Sequence, residues 1–155
     1  MIDEANAAGV ILTGGSRFGG HVLFVKDKKL HYVYNFLGIR PEQHFVSKSE
    51  LKPGKHTVGV EFIREKTGEH GESLGTAKLY IDDQLVAQGP MRTQPGKFGL
   101  GGGLRIGSNS ADAVSEQYKS PGRFKGGKIL FVGVTVEKAQ YLDLEQEARR
   151  VMMRQ

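Results

Sequence analysis

A chain of 155 residues with 38% hydrophobic and 25% charged residues can fold as one domain around its own core, and its balance excludes collagen, coiled coil and disorder. Cysteine and tryptophan are absent, which removes disulfides, thiolate metal sites, a cysteine nucleophile and the indole that most often stacks on sugars. Lys+Arg 22 against Asp+Glu 17 gives a net charge of +5. The basic residues are scattered rather than gathered on one face, so nucleic acid is not an expected partner.

The apolar runs are short and mostly of period two. Val10-Ile11-Leu12 opens the first. His21 to Lys26 and Leu30 to Phe36 flank Asp27-Lys28-Lys29, which predicts a hairpin on a three-residue polar loop. A short strand is expected over 42–47, after Pro41, and Pro53-Gly54 marks a turn. Val58, Val60 and Phe62 then alternate with Thr57, Gly59 and Glu61, the pattern of a half-buried antiparallel strand. The polar, glycine-bearing stretch 65–75 reads as a mobile hairpin loop. Ala77, Leu79 and Ile81 form the next strand, and Asp82-Asp83-Gln84 turns it into Leu85-Val86-Ala87. Leu104-Arg105-Ile106 follows a glycine-dense stretch, and 107–123 reads as a long polar loop. Ile129 to Val136 is predicted as the last strand, with Leu130, Val132, Val134 and Val136 on one face. Tyr141, Leu144, Ala148 and Val151 keep helical spacing, with acids before them and arginines after, which predicts one C-terminal helix over about 142–154. About nine or ten short strands and one helix give an all-β fold, a two-sheet antiparallel β-sandwich of the jelly-roll kind, spanning residues 1–155 as one domain.

The chemistry-bearing patterns are sparse. Gly14-Gly15-Ser16-Arg17-Phe18-Gly19-Gly20 lacks the Lys-Ser/Thr of a phosphate loop and leads into a strand, so its glycines are expected to serve positive φ or close backbone approach. His21, His31, His44, His56 and His70 include no pair at helical i, i+4 spacing. His56 is expected to top a strand at the sandwich edge. No paired carboxylates fit a sandwich glycosidase, and no nucleophile–base–orienter set stands out among the serines. No catalytic residue is therefore assigned to this chain. The Ser108 to Asp112 loop offers oxygen ligands, so Asn109 and Asp112 form a weak calcium option, although an Asx turn accounts for the same residues. No apolar run approaches the roughly 18 residues of a membrane helix. The N-terminal Met1-Ile2-Asp3-Glu4 lacks a signal-peptide pattern, so the expectation for the chain as it stands is cytoplasmic, with no membrane partner.

Several stretches, in order along nearly the whole chain, resemble the C-terminal region of bacterial arylsulfatases. They are Gly14 to Gly20 with its Arg17-Phe18-Gly19-Gly20, Val25-Lys26-Asp27, and Leu30 through Tyr34-Asn35-Phe36-Leu37-Gly38. Pro53 to Val58, Glu61-Phe62, Ala77 to Asp82, Leu104 to Gly107, Val114-Ser115 through Tyr118, Phe124 to Gly127 and Ala148 to Gln155 complete the set. The resemblance implies a concanavalin-A-like, laminin-G-like sandwich appended to a sulfatase catalytic domain. That domain would carry a formylglycine motif and a calcium ion, neither of which has its residues here. Asn109 and Ala113 stand where the family often carries Asp and Pro. The implied role is a non-catalytic accessory module packed on a sulfatase core, in cis or in trans. A lectin-like module for glycans, sulfated ones included, is the alternative. Arg17, Phe18, Tyr34, Asn35 and Phe36 are the candidate binding or interface residues. For Phe18, Tyr34 and Phe36 the competing reading is core packing; for Arg17 it is structural hydrogen bonding to loop carbonyls.

Overall fold

The computed structural model describes residues 1–96, 98, 103–109 and 112–136. Eight strands are found among them: β1 (Gly9–Ser16), β2 (Gly19–Lys26), β3 (Lys29–Asn35), β4 (Gln43–Glu50), β5 (Val58–Thr67), β6 (Ser73–Ile81), β7 (Gln84–Thr93) and β8 (Leu104–Ile106). They form two antiparallel sheets, one in the order β4-β3-β2-β1-β8 and one in the order β5-β6-β7. This is the expected β-sandwich. The predicted helix over about 142–154 lies outside the described residues.

Turn chemistry fixes the hairpins more tightly than expected. Lys26 pairs with Lys29 and Ile81 with Gln84, so both loops have two residues rather than three. Asp27, Lys28, Asp82 and Asp83 all have positive φ, as a turn that matches the strand twist requires. The stretch 65–75 is shorter as a loop than its polarity suggested. β5 runs to Thr67 and β6 starts at Ser73, with Thr67 opposite Ser73. Strand pairing needs only backbone groups, and solvated polar side chains do not oppose it.

The five-stranded sheet is covered on both faces. Its inner face carries Leu23, Val25, Leu30, Tyr32 and Tyr34 against Ala77, Leu79, Ile81 and Met91 of the smaller sheet. Its outer face carries Val10, Val22, Phe24 and Val33, roofed by Val114 and Tyr118. Burial on both faces explains why β2 and β3 read as near-continuous apolar runs. It also recasts the 107–123 loop, which covers a second core despite its polar sequence.

The two long edges of the sandwich differ. Along one, Gln43 of β4 brackets Arg92 of β7: its Nε2 donates to the Arg92 carbonyl at 2.8 Å and its Oε1 accepts from the Arg92 N–H at 2.7 Å. An amide side chain there substitutes for a strand-to-strand bond and stitches the sheets together. The opposite edge is open. A groove of about 650 Å³ runs there, floored by Leu12, Leu23 and Tyr32 and walled by β5 on one side and Ile129–Thr135 on the other.

That second wall corrects a sequence expectation. Residues 129–136 are not in a strand and pair with neither sheet. Phe131 is 85% exposed and Val136 77% exposed. Apolar alternation records suitability for a sheet; it does not supply the neighbouring strand.

Candidate functional site

The five residues singled out in the sequence converge at one end of the sandwich. Ser16 and Gly19 pair across the β1–β2 turn, leaving Arg17 and Phe18 at the tip. This hairpin can close only with glycine beneath it. Gly15 (φ +98) faces Gly20, and a Cβ on Gly15 would strike the Gly19 carbonyl. The expectation of close backbone approach is met.

Asn35 organises this end. It is fully buried. Its Nδ2 donates to the Arg17 carbonyl at 3.0 Å and to the Val114 carbonyl at 2.8 Å. Its Oδ1 accepts from the Gly38 N–H at 2.8 Å. One side chain therefore ties together the β1–β2 tip, the β3–β4 loop and the 112–118 loop. Tyr34 is buried beside it, and its hydroxyl accepts from the Gln94 N–H at 3.0 Å. Burial raises the Tyr34 phenol above its ordinary pKa. Phe36 is buried under the Arg92 guanidinium, 4.0 Å from the ring centroid. For Tyr34 and Phe36 the core-packing alternative holds.

Phe18 differs. It is 66% exposed, with the Arg17 guanidinium 4.7 Å from its ring centroid. The Arg17 side chain is itself largely exposed and pairs with Asp112 at 3.3 Å. Arg17 enters the hydrogen-bond network through its backbone carbonyl, not as the side-chain donor to loop carbonyls that was the alternative. Ile39, on the neighbouring loop, is 49% exposed. The end thus presents an apolar tip on a braced scaffold.

The sequence did not suggest an ionic cluster beside it. The Glu42 carboxylate is nearly buried. It accepts from Arg40 at 2.6 Å, from Ser115 Oγ at 2.6 Å and from the Glu116 N–H at 3.0 Å. Arg40 also reaches Glu116 at 2.6 Å. These partners lie far apart in the chain, and no spacing rule joins them. Gln94 Oε1 is the one buried side-chain polar atom without a hydrogen-bond partner among the described residues, and it lies behind Gly19.

The calcium option does not gather its ligands. Asn109 is buried, and its Oδ1 already accepts from Thr13 Oγ1 at 3.2 Å and Tyr118 Oη at 2.8 Å. Its Nδ2 donates to the Asp112 carbonyl at 2.7 Å, an Asx-type closure of the loop. Asp112 turns its carboxylate to Arg17. Among the described residues no three His, Cys, Asp or Glu side chains group to hold a metal ion.

The histidines divide by environment. His31 Nδ1 lies 2.9 Å from His44 Nε2, and His31 Nε2 lies 3.0 Å from the Lys26 carbonyl. That carbonyl requires a proton on Nε2, so in the neutral pair His44 donates to His31. Burial chiefly pushes both below the ordinary histidine value; the Lys26 carbonyl partly offsets this at His31, where His44 and the Lys26 charge add to it, and Glu42 partly offsets it at His44. His56 is bound to Asp82 Oδ2 at 2.7 Å and to the Lys52 carbonyl at 2.7 Å, just ahead of β5. This agrees with its expected place at the sandwich edge. No protein-family model, curated protein or solved structure matches the chain.

Proposed function

We propose that this chain is a non-catalytic interaction module of an arylsulfatase-like protein, packing on a sulfatase core through the Arg17–Phe18 end. The fold would then be the concanavalin-A-like sandwich that the sequence resemblance implies, and sulfate ester hydrolysis would belong to the core. The observation that carries the reading is the division of labour around Asn35. Its three hydrogen bonds fix three loops, and the fixed tip holds a large aromatic ring in water rather than in the core. Preorganising an exposed aromatic lowers the cost of ordering it on association and is how interface anchors are built.

The test is co-expression with a sulfatase core that lacks this region. The module should co-purify with the core, and the contact should bury at least roughly 1,000 Å². Phe18→Ala should weaken association about 10- to 100-fold, the value of burying one phenylalanine ring, while the variant's unfolding midpoint stays near that of the parent. Failure to co-purify, with no effect on sulfatase turnover, overturns the proposal. Binding to sulfated glycans without any core would instead establish the lectin reading.

A further inference from the structure

The outer face of the large sheet holds a hydrogen-bonded relay that the interface reading does not use. In the neutral state His44 Nε2–H donates to His31 Nδ1 at 2.9 Å, and His31 Nε2–H donates to the Lys26 carbonyl at 3.0 Å. Phe24 stacks on His31, 4.9 Å between ring centroids. His31 is buried, whereas His44 is exposed. The relay has room for one more proton, not two. The first goes to Nδ1 of His44, the ring nitrogen that the relay leaves bare, and His44 still donates to His31, now as a charged donor. The second must go to His31 Nδ1. Two N–H groups then point at each other across the same gap, and the bond is lost. His44 swings into water, and His31 stays behind as a buried cation.

Charged and titratable groups face the pair from each packed element. β2 and its turn supply Lys26 and Asp27, and β4 supplies Glu42. The 112–118 loop, which roofs this face, supplies Tyr118, 5.5 Å from Phe24 between centroids, and Glu116, held by Arg40. Two of these groups pin the roof. Lys26 Nζ donates to the Gln117 carbonyl at 3.0 Å. Glu42 accepts from Ser115 Oγ and from the Glu116 N–H. A cation at His31 repels the ammonium that pins Gln117, and a charged His44 competes for the carboxylate that pins Ser115 and Glu116. The same roof reaches the tip: the Val114 carbonyl shares the Asn35 amide with the Arg17 carbonyl.

We infer that the His31–His44 pair is an acid-released latch on the 112–118 roof, whose second proton frees the roof and, through Asn35, loosens the Arg17–Phe18 tip. The two protonation steps belong to the pair rather than to either ring. The direction follows from linkage. In the closed state burial holds both histidines below their ordinary value, and with the roof open they return toward about 6.5. The open state therefore binds more protons. Closure is favoured above about pH 6.5 and is lost as pH falls through the lower values of the closed pair. Weaker association of the tip in acid rests on the interface reading; the latch itself does not.

The test is amide hydrogen exchange on the whole chain at about pH 7 and about pH 5, either side of the ordinary histidine value, with rates corrected for the chemical effect of pH. The reporters are the amides of Val114, Glu116 and Gln117, which donate to Tyr118 Oη, Glu42 and Ser115 Oγ. Their protection should fall about tenfold at the lower pH, followed by that of residues 17–18, while β2 and β3 keep theirs. In His44→Gln the amide donates to a neutral His31 and turns its oxygen to a charged one, so the fall should shrink to less than about threefold. In the parent chain, unchanged roof protection overturns the proposal, and so does an equal loss in β2 and β3, which is unfolding of the whole chain. An undiminished fall in His44→Gln overturns it as well. A sulfatase core that binds at neither pH sinks the interface reading and leaves the exchange result standing.

Discussion

Removing the Asn35 side chain is the sharpest test of how the loop end is held. In Asn35→Ala the Val114 carbonyl loses its partner inside the protein, whereas the Gly38 N–H and the Arg17 carbonyl, in part-buried bonds, regain water. The stranded buried group costs about 1–3 kcal/mol, and each of the other two bonds adds about 1 kcal/mol. One stranded group and two ordinary bonds sum to about 3–5 kcal/mol, a large share of the 5–15 kcal/mol typical of a domain. At about 2–4 °C per kcal/mol for this chain length, Tm should fall by roughly 10 °C. Asn35→Asp sharpens the argument. It keeps the acceptor for Gly38 but turns an oxygen toward two carbonyls, so the folded state favours the protonated acid and raises its pKa above the unfolded value. Stability from such a group is present at low pH and lost as pH rises through the carboxyl range. Asn35→Asp should therefore be the worse variant at pH 7 and close on Asn35→Ala near pH 4. Urea unfolding at both pH values measures this, and hydrogen exchange should quicken at residues 17–18 and 37–38 before the rest. A loss below about 1 kcal/mol in Asn35→Ala, or a pH trend of opposite sign, would refute the assigned bonds.

The other expectations are simpler. Gly15→Ala forces a side chain onto a positive-φ residue and against the Gly19 carbonyl. It should cost more than about 3 kcal/mol, whereas Gly59→Ala, with open space around its Cβ, should be neutral or stabilise by about 0.4–1 kcal/mol. Denaturant midpoints of the two variants decide this. Histidines 21, 31 and 44 all sit below their ordinary pKa, chiefly through burial. A depressed group stabilises above its unfolded pKa, so the stability of the chain should fall as pH drops below about 6.5. His31→Gln should flatten that slope, and an unchanged slope would show that the pair is not responsible. Phe18→Ala should leave Tm within about 2 °C, because an exposed ring contributes little to folding.

The parts of the fold legible in sequence were those set by neighbours in the chain. The polar Asp27-Lys28-Lys29 and Asp82-Asp83-Gln84 announce hairpins because they interrupt apolar runs of period two, although their two-residue, positive-φ geometry was not legible. Gly15 and Gly20 announce close approach because only a hydrogen fits between the strands there. What stayed hidden depends on distant partners. Nothing in Glu42 points to Ser115, and nothing distinguishes exposed Phe18 from buried Phe36, since each lies under an arginine. Ile129–Val136 is the instructive case. Its alternation is that of a strand, yet pairing needs an adjacent edge within about 4.8 Å, and the groove intervenes.

The Gln43 bracket gives the sandwich a spine. With one long edge stitched by side-chain amide bonds to Arg92 and the other laced only at one end, through Ile2, thermal spreading of the sheets should pivot about β4 and β7, as a book opens from its binding. The widest excursions then fall at Val58–Phe62, and shortening Gln43 to alanine would free the binding and let the two covers slide rather than hinge.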